Sequence, residues 1–287
     1  IIFMGTPIFC VPILKSLYQN GYNISVVFTQ PPQKSHRGQK INKSPIQGIS
    51  ETLNIDYRTP KTLKDNHEEY EFLKELNADL AIVCAYGQII PENFLNLTKK
   101  GFVNIHASIL PSWRGAAPIQ RSIMNLDPET GISIMKIKKE LDSGPVSNIY
   151  KIKIDQNQNA QEISEKLSAL AAEKILDNVD DILEDKAKFI DQDHSKATYA
   201  KKIDKEESRI DWDEDASKII GKINGLFPSP GASFSFNGER YKILKAEIGN
   251  GIGQVGEIIS NQLEVACNKN QSIKILEIQR QGKRPQK

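Results

Sequence analysis

His106 closes a short β-rich run, Phe102 to His106, and Asn104 stands two places before it. Alternate residues of a strand project from one face, so an imidazole and a carboxamide would lie side by side at the strand's carboxyl end. Together they could donate hydrogen bonds to an oxyanion developing on a carbonyl carbon. The same spacing also fits a buried histidine that satisfies a backbone carbonyl. The other histidines read as solvated side chains: His36 in a basic loop, His67 on a charged helix, His194 in a polar stretch.

Two further segments could present ligands to a site, Gly5-Thr6-Pro7 and Tyr86-Gly87-Gln88, because each follows an apolar run. In an open α/β sheet, ligands bind at the carboxyl ends of the strands. The runs are Ile1 to Met4, Ile24 to Thr29, Asp79 to Ala85, Phe102 to His106 and Ile132 to Ile137, of the buried parallel kind. Helix signals separate them: Ser44-Pro45 as cap and first position, Asn66 to Leu76, and Pro118 to Met124. This alternation predicts a doubly wound α/β sheet over residues 1–186. A long helix from about Ala160 to Glu184 would close it, with Ile163, Leu167, Leu170, Ile175, Val179 and Ile182 at helical spacing.

Apolar periodicity disappears over residues 187–207, where Asp, Lys, Ser and Gln dominate, so a linker is expected there. Residues 208–287 then form a second, smaller domain. A short helix around Asp215 to Asn224 precedes two alternating runs, Ala232 to Phe236 and Arg240 to Ala246, joined by Asn237-Gly238. Asn-Gly in that setting is the strongest local signal of a hairpin. With further strands at Glu257 to Ser260, Leu263 to Cys267 and Ile273 to Ile278, a small β-domain results, barrel-like if closed. Gly251 to Gly256 spells GxGxxG but opens no helix, so it reads as a loop between strands. The turn after the first strand, Gly5-Thr6-Pro7, lacks the glycine spacing that cradles a pyrophosphate, which disfavours NAD and FAD.

Charge is distributed unevenly along the chain. The whole carries +2, but residues 216–287 carry a net +6 and residues 1–215 a net −4. A second basic island, Gln30 to Ser50, holds Lys34, Arg37, Lys40 and Lys43 and no acidic residue. Such islands fit a polyanion partner, and equally a solvated loop with incidental lysines. A content of 39% hydrophobic and 26% charged residues excludes disorder, collagen and coiled coil. The longest apolar run, Leu80 to Tyr86, has seven residues. A membrane-spanning helix needs roughly 20. The opening residues show neither a basic leader nor a cleavage motif, and Cys10, Cys84 and Cys267 are odd in number and far apart. Reduced thiols in a cytoplasmic protein are expected.

The residues after His106 read Ala107-Ser108-Ile109-Leu110-Pro111-Ser112-Trp113-Arg114-Gly115-Ala116-Ala117-Pro118. With Asn104 and His106 this resembles the signature of the 10-formyltetrahydrofolate-dependent formyltransferases. The likeness extends to Ile2-Phe3-Met4-Gly5-Thr6-Pro7, Phe28-Thr29-Gln30-Pro31, Ala85-Tyr86-Gly87-Gln88-Ile89-Ile90-Pro91, Pro118-Ile119-Gln120-Arg121, Thr130-Gly131-Ile132 and Arg209-Ile210-Asp211-Trp212. It is most specific to the branch that formylates methionyl-tRNA. It departs at Pro31 to Lys43, where only Arg37-Gly38 and Lys40 match the family's basic insert.

The resemblance implies a Rossmann-like parallel sheet that holds folate and performs catalysis, then an OB-like β-barrel that helps hold tRNA. It implies a catalytic set of Asn104, His106 and Asp142, although Asp142 before Ser143-Gly144 is also an ordinary turn former. It places the folate against Ser108, Ile109, Leu110 and Pro111, with Tyr86 and Gly87 nearby, and the acceptor stem against Arg37, Lys40 and Lys43. The expected reaction moves the formyl group of 10-formyltetrahydrofolate to the α-amine of initiator methionyl-tRNA, in a cytoplasmic monomer that requires no metal. The alternatives are a related enzyme acting on a sugar-nucleotide or purine-precursor amine, and a non-catalytic RNA-binding protein that keeps the fold.

Overall fold

The computed structural model describes residues 1–35 and 40–287, with backbone alone for residues 34, 35, 40 and 41. The basic-island residues His36, Arg37, Gly38 and Gln39 lie outside the described residues. Two compact units are present. The first comprises residues 1–114, 131–151 and 165–198, and the second comprises 115–130, 152–164 and 199–287.

The first unit is organised by a seven-stranded sheet. Its strands are β1 (Ile2–Gly5), β2 (Val26–Phe28), β3 (Tyr57–Arg58), β4 (Ala81–Cys84), β5 (Phe102–His106), β6 (Glu129–Lys136) and β7 (Val146–Lys153), in the order β7-β6-β5-β4-β1-β2-β3. The five from β3 to β5 in that order pair in parallel. Ile2, Phe3 and Met4 of β1 and Ala81 and Ile82 of β4 have no exposed surface, because helices and neighbouring strands cover both faces. Burying one such large side chain stabilises the fold by roughly 1.5–3 kcal/mol.

Local chemistry explains the helices that flank this sheet. Helix α1 (Val11–Gln19) carries proline in its first turn, where the missing N–H is harmless. At α2 (Pro45–Thr52) the Ser44 side chain accepts from the Gln47 N–H at 2.9 Å, and at α3 (His67–Leu76) Asn66 does the same for Glu69 at 3.2 Å. Leu167, Ala171, Ile175, Val179 and Ile182 form the buried stripe of α5 (Ala160–Leu183). Two serines tie it down: Ser168 donates to the Phe9 carbonyl and Ser16 of α1 donates to the Ala172 carbonyl, both at 2.6 Å.

One strand runs against expectation. β6 holds Ile132 to Lys136 of the run that reads as a parallel strand, yet it pairs with β5 in antiparallel register, His106 facing Ser133. The helix between them, α4 (Pro118–Met124), is grouped with the second unit, so no crossover helix returns the chain to the sheet in parallel.

In the second unit α4 packs on α6 (Ala216–Leu226), and Met124 lies against a core that includes Ile219, Ile223, Leu226 and Ile243. Five strands complete it: β8 (Ser233–Phe236), β9 (Glu239–Ile248), β10 (Ile258–Ser260), β11 (Glu264–Cys267) and β12 (Gln271–Arg280). Their order is β8-β9-β12-β11-β10, with β8 and β10 at the edges and every pairing antiparallel. The β8–β9 hairpin turns through Asn237 and Gly238, both at positive φ (48° and 76°), as a two-residue turn of matching twist requires. Register shifts in the long β9–β12 pair bend the sheet. All three cysteines are buried and unbridged. Among the described residues no helix is long and apolar enough to cross a membrane.

Candidate active site

Three strand ends named by the sequence converge at the carboxyl edge of the sheet. Thr6, after β1, donates its hydroxyl to the Tyr86 carbonyl at 2.8 Å. Gln30, after β2, donates its amide to the carbonyls of Tyr86 and Gly87 at 3.2 and 2.9 Å. The backbone of the 86–88 turn is thereby held by side chains from two other strands. The Tyr86 ring is buried, and burial together with the nearby Glu69 carboxylate pushes its phenol well above the ordinary range.

Asn104 and His106 project from one face of β5, as the period of two requires, and Asp142 meets both. Asn104 Nδ2 donates to Asp142 Oδ1 at 3.5 Å, and His106 Nδ1 lies 3.6 Å from Asp142 Oδ2. The other ring nitrogen, His106 Nε2, is 2.9 Å from the Trp113 carbonyl. A carbonyl only accepts, so Nε2 carries hydrogen and Nδ1 is the nitrogen turned toward Asp142. His106 therefore does both things its spacing allows: it satisfies a backbone carbonyl and it faces a carboxylate. Both groups are nearly withdrawn from water, at 6% and 14% exposure. Asp142 sits at φ 46°, a left-handed conformation that Asp tolerates better than most residues.

The segment Ser108 to Pro111 forms a pinned loop behind β5. Ser108 has no exposed surface; its hydroxyl donates to the Ser112 carbonyl at 2.6 Å, and its carbonyl accepts from Ser133 at 2.7 Å. Ser133 in turn accepts from the Leu110 N–H at 3.1 Å. Leu110 is buried, whereas Ile109 and Pro111 keep partial exposure. Of the residues expected to meet the acceptor stem, Arg37 lies outside the described residues, and only the backbone of Lys40 is described, in a strand from Lys40 to Asn42. Lys43 places its ammonium 2.9 Å from Glu51, both groups exposed.

Two residues at the site escaped the sequence reading. Arg114 is buried at 3% exposure, and its guanidinium donates through Nε and Nη2 to Gln192 Oε1 at 3.1 and 2.7 Å. Gln192 Nε2 donates to the backbone carbonyls of Asp142 and Gly144 at 2.9 and 2.7 Å. Arg114 Nη2 also lies 3.2 Å from His194 Nδ1, so that exposed imidazole has a protein partner. Arg114 stands in the signature segment and could have been singled out there. Gln192 stands in the polar stretch read as a linker and carries no local signal.

In the second unit, the Gly251 to Gly256 loop binds the protein's own carboxylate. The N–H groups of Asn250 and Gly251 donate to Glu264 Oε1 at 2.9 and 2.7 Å, joined by the Ser272 hydroxyl at 2.7 Å. These contacts, Ser272 foremost, hold the Glu264 carboxyl below its ordinary range.

Comparison with known proteins accords with this geometry. The formyl transferase family matches residues 1–179, and the formyl transferase C-terminal domain matches residues 202–287. The chain is 67% identical over 286 residues to the methionyl-tRNA formyltransferase of Pelagibacter ubique, covering 100% of this chain and 92% of that protein. It is 40% identical over 290 residues to the enzyme of that name from Brucella anthropi, covering 99% and 94%. Among solved structures, the N-formyltransferase of Helicobacter canadensis superimposes with a TM-score of 0.73 at 17% identity, covering 97% of this chain and 98% of that one. The sugar 3N-formyl transferase WlaRD gives a TM-score of 0.74 at 20% identity, covering 99% and 98%. At that identity the likeness shows the fold alone. The chain belongs to the formyl transferase family, in its methionyl-tRNA formyltransferase branch.

Proposed function

We propose that this protein formylates the α-amine of methionyl-tRNA with 10-formyltetrahydrofolate as donor, and that Asn104, His106 and Asp142 carry the chemistry. The observation that supports it most directly is the meeting of those three side chains at the carboxyl edge of the sheet, within a chain 67% identical to a methionyl-tRNA formyltransferase. In this reading the folate lies along Ser108 to Pro111 with Tyr86 and Gly87 beside it. The basic residues 208–287, helped by Arg37, Lys40 and Lys43, hold the tRNA through phosphates, which gives affinity without reading sequence. Buried, unbridged cysteines and the absence of a spanning helix among the described residues are consistent with a cytoplasmic enzyme, which we take to act as a monomer.

The reaction needs three things from the protein. The α-amine attacks the formyl carbon on N10, an oxyanion forms, and the tetrahedral species collapses when N10 leaves with a proton. The amine loses one proton and N10 gains one, so the protein must relay a proton and supply none net. Asn104 has two amide hydrogens, of which one is directed at Asp142; the other is assigned to the oxyanion. His106 is the second donor in its imidazolium form: Nδ1, hydrogen-free in the neutral ring, takes up the proton that the attacking amine releases and holds it toward the substrate oxygen. Asp142 stabilises the imidazolium and passes the proton from the attacking amine toward N10. One oxyanion donor contributes roughly 10²–10³ in rate and positioned acid–base transfer roughly 10²–10⁴.

The test is to incubate the protein with 10-formyltetrahydrofolate and charged methionyl-tRNA, and in parallel with amino-sugar nucleotides. Formyl transfer to the aminoacyl ester alone is the expected result. Transfer to the sugar nucleotide alone would overturn the substrate assignment.

A further inference from the structure

Gln192 forms a polar bridge inside the first unit that the catalytic reading does not use. One face of its carboxamide meets the buried guanidinium of Arg114, and the other meets two backbone carbonyls of the Asp142 loop. The orientation of the amide is forced by its neighbours. A guanidinium only donates, so it must face Oε1; carbonyls only accept, so they must face Nε2. A flipped amide would oppose donor to donor and acceptor to acceptor in a site at 8% exposure for Gln192 and 3% for Arg114.

The loop that this bridge grips takes a demanding conformation. Asp142 holds a left-handed backbone conformation, and Gly144 approaches the Lys136 carbonyl so closely that a Cβ would stand 1.9 Å from it. On the other side, Arg114 directly follows Trp113, whose carbonyl receives the His106 Nε2 hydrogen bond. Two consecutive residues of the signature thus set the two members of one His–carboxylate contact: Trp113 sets His106, and Arg114 sets Asp142 through Gln192. Residues 190 to 198 are stitched into the same unit by Ile190 against Val146 at 2.8 and 2.9 Å and by Thr198, whose carbonyl accepts from Arg114 N–H at 2.9 Å.

We infer that Gln192, aligned by Arg114, is a positioning residue that holds the Asp142 carboxylate at the distance from His106 and Asn104 that formyl transfer requires. This rests on the assignment of Asp142 above. A misplacement of about 1 Å at a reacting group can cost on the order of 10² in rate without touching substrate binding. Positioning therefore acts on kcat and leaves KM for folate and tRNA in place.

The decisive variant is Gln192→Glu. Its carboxylate retains the partner of Arg114, which supports folding, but presents oxygen instead of N–H to the carbonyls of Asp142 and Gly144. The expected result is a kcat lowered by about 10-fold to 10²-fold at unchanged KM, in a folded protein whose Tm is lowered by the opposed oxygens. In an Asp142→Asn background the same substitution should lower kcat little further, since a clamp on a missing carboxylate has nothing to position. A wild-type kcat in Gln192→Glu overturns the inference, as does an undiminished loss in the Asp142→Asn background. Should Gln192→Glu fail to fold, Arg114→Lys, which loses the two-point alignment of the amide, is read by the same criteria. The failure of the underlying reading looks different: Asp142→Asn by itself would then keep its activity, whatever Gln192 does.

Discussion

Replacing Asp142 by Asn isolates the charge from the geometry of the site. The substitution leaves volume and backbone preference almost unchanged, because Asn tolerates a left-handed φ as well as Asp does. The new carboxamide can accept from Asn104 with its oxygen and donate to His106 Nδ1 with its nitrogen, since Nε2 is already committed as a donor to the Trp113 carbonyl. Both of these contacts keep a partner, so the stability should change by no more than about 0.5 kcal/mol. What disappears is the attraction between the carboxylate and the imidazolium that forms during the transfer. At the observed 3.6 Å, and with an effective dielectric constant of about 20, that attraction is about 4–5 kcal/mol. Asp142 retains 14% exposure, and solvent at its outer edge reduces the loss to roughly 3 kcal/mol. At 1.36 kcal/mol per tenfold change, turnover should fall about 10²-fold.

The assay is single-turnover formylation of methionyl-tRNA at saturating folate, with thermal unfolding measured alongside. The loss should sit in kcat and not in KM for either substrate, because neither substrate is bound by this charge in the ground state. A kcat within about threefold of wild type would refute the reasoning, as the Coulomb term alone is expected to exceed that. A loss confined to KM would refute it too.

Three other expectations can be measured. Gly144→Ala would place a methyl group 1.9 Å from the Lys136 carbonyl, so the loop bearing Asp142 must shift; activity should fall more than stability, measured by kcat and Tm on one preparation. Because the Glu264 carboxyl is held below its ordinary value of 4.5, chiefly by Ser272, it stabilises the fold above that pH, and the contribution fades as pH falls through the depressed value. The Tm advantage of wild type over Glu264→Gln should thus be full at neutral pH and vanish in acid; an advantage that grows in acid would contradict the sign. Neutralising Arg37 and Lys40 together should weaken tRNA binding and flatten its log–log salt dependence by up to about two units, roughly one per phosphate contact, with folate affinity intact. A wild-type slope would show that the basic island is a solvated excursion.

Short-range rules made much of the architecture readable. Ser44 and Asn66 cap their helices as their types predict, and Asn237-Gly238 turns the hairpin where it stands. Asn104 and His106 share a face because a strand has a period of two, and no longer-range information is needed. The direction of β6 was not readable in this way. Ile132, Ser133, Ile134 and Met135 are all buried, a pattern that marks a strand covered on both sides and is silent about polarity. The strands Tyr57–Arg58 and Val146–Lys153 were missed for the opposite reason: one is two residues long, and the other alternates exposed and half-buried positions at a sheet edge.

Gln192 marks the deeper limit of local reading. Its partners are 78, 50 and 48 positions away, and its neighbours Asp191 and Asp193 are exposed and charged. Composition assigns such a stretch to a linker, because low hydrophobicity means little apolar burial. Yet a carboxylate proposed for catalysis, on a left-handed turn, cannot be fixed by apolar packing, which is non-directional; it needs directed hydrogen bonds to its backbone, and those come from polar side chains. The residue best suited to clamp Asp142 is thus of the type that hydropathy discards. The buried guanidinium of Arg114 removes the ambiguity of the amide, so the order of the clamp derives from a residue within the recognised signature. That coupling accounts for one segment, Ser112 to Gly115, reaching both sides of the His106–Asp142 pair: Trp113 through its carbonyl, Arg114 through one intermediary.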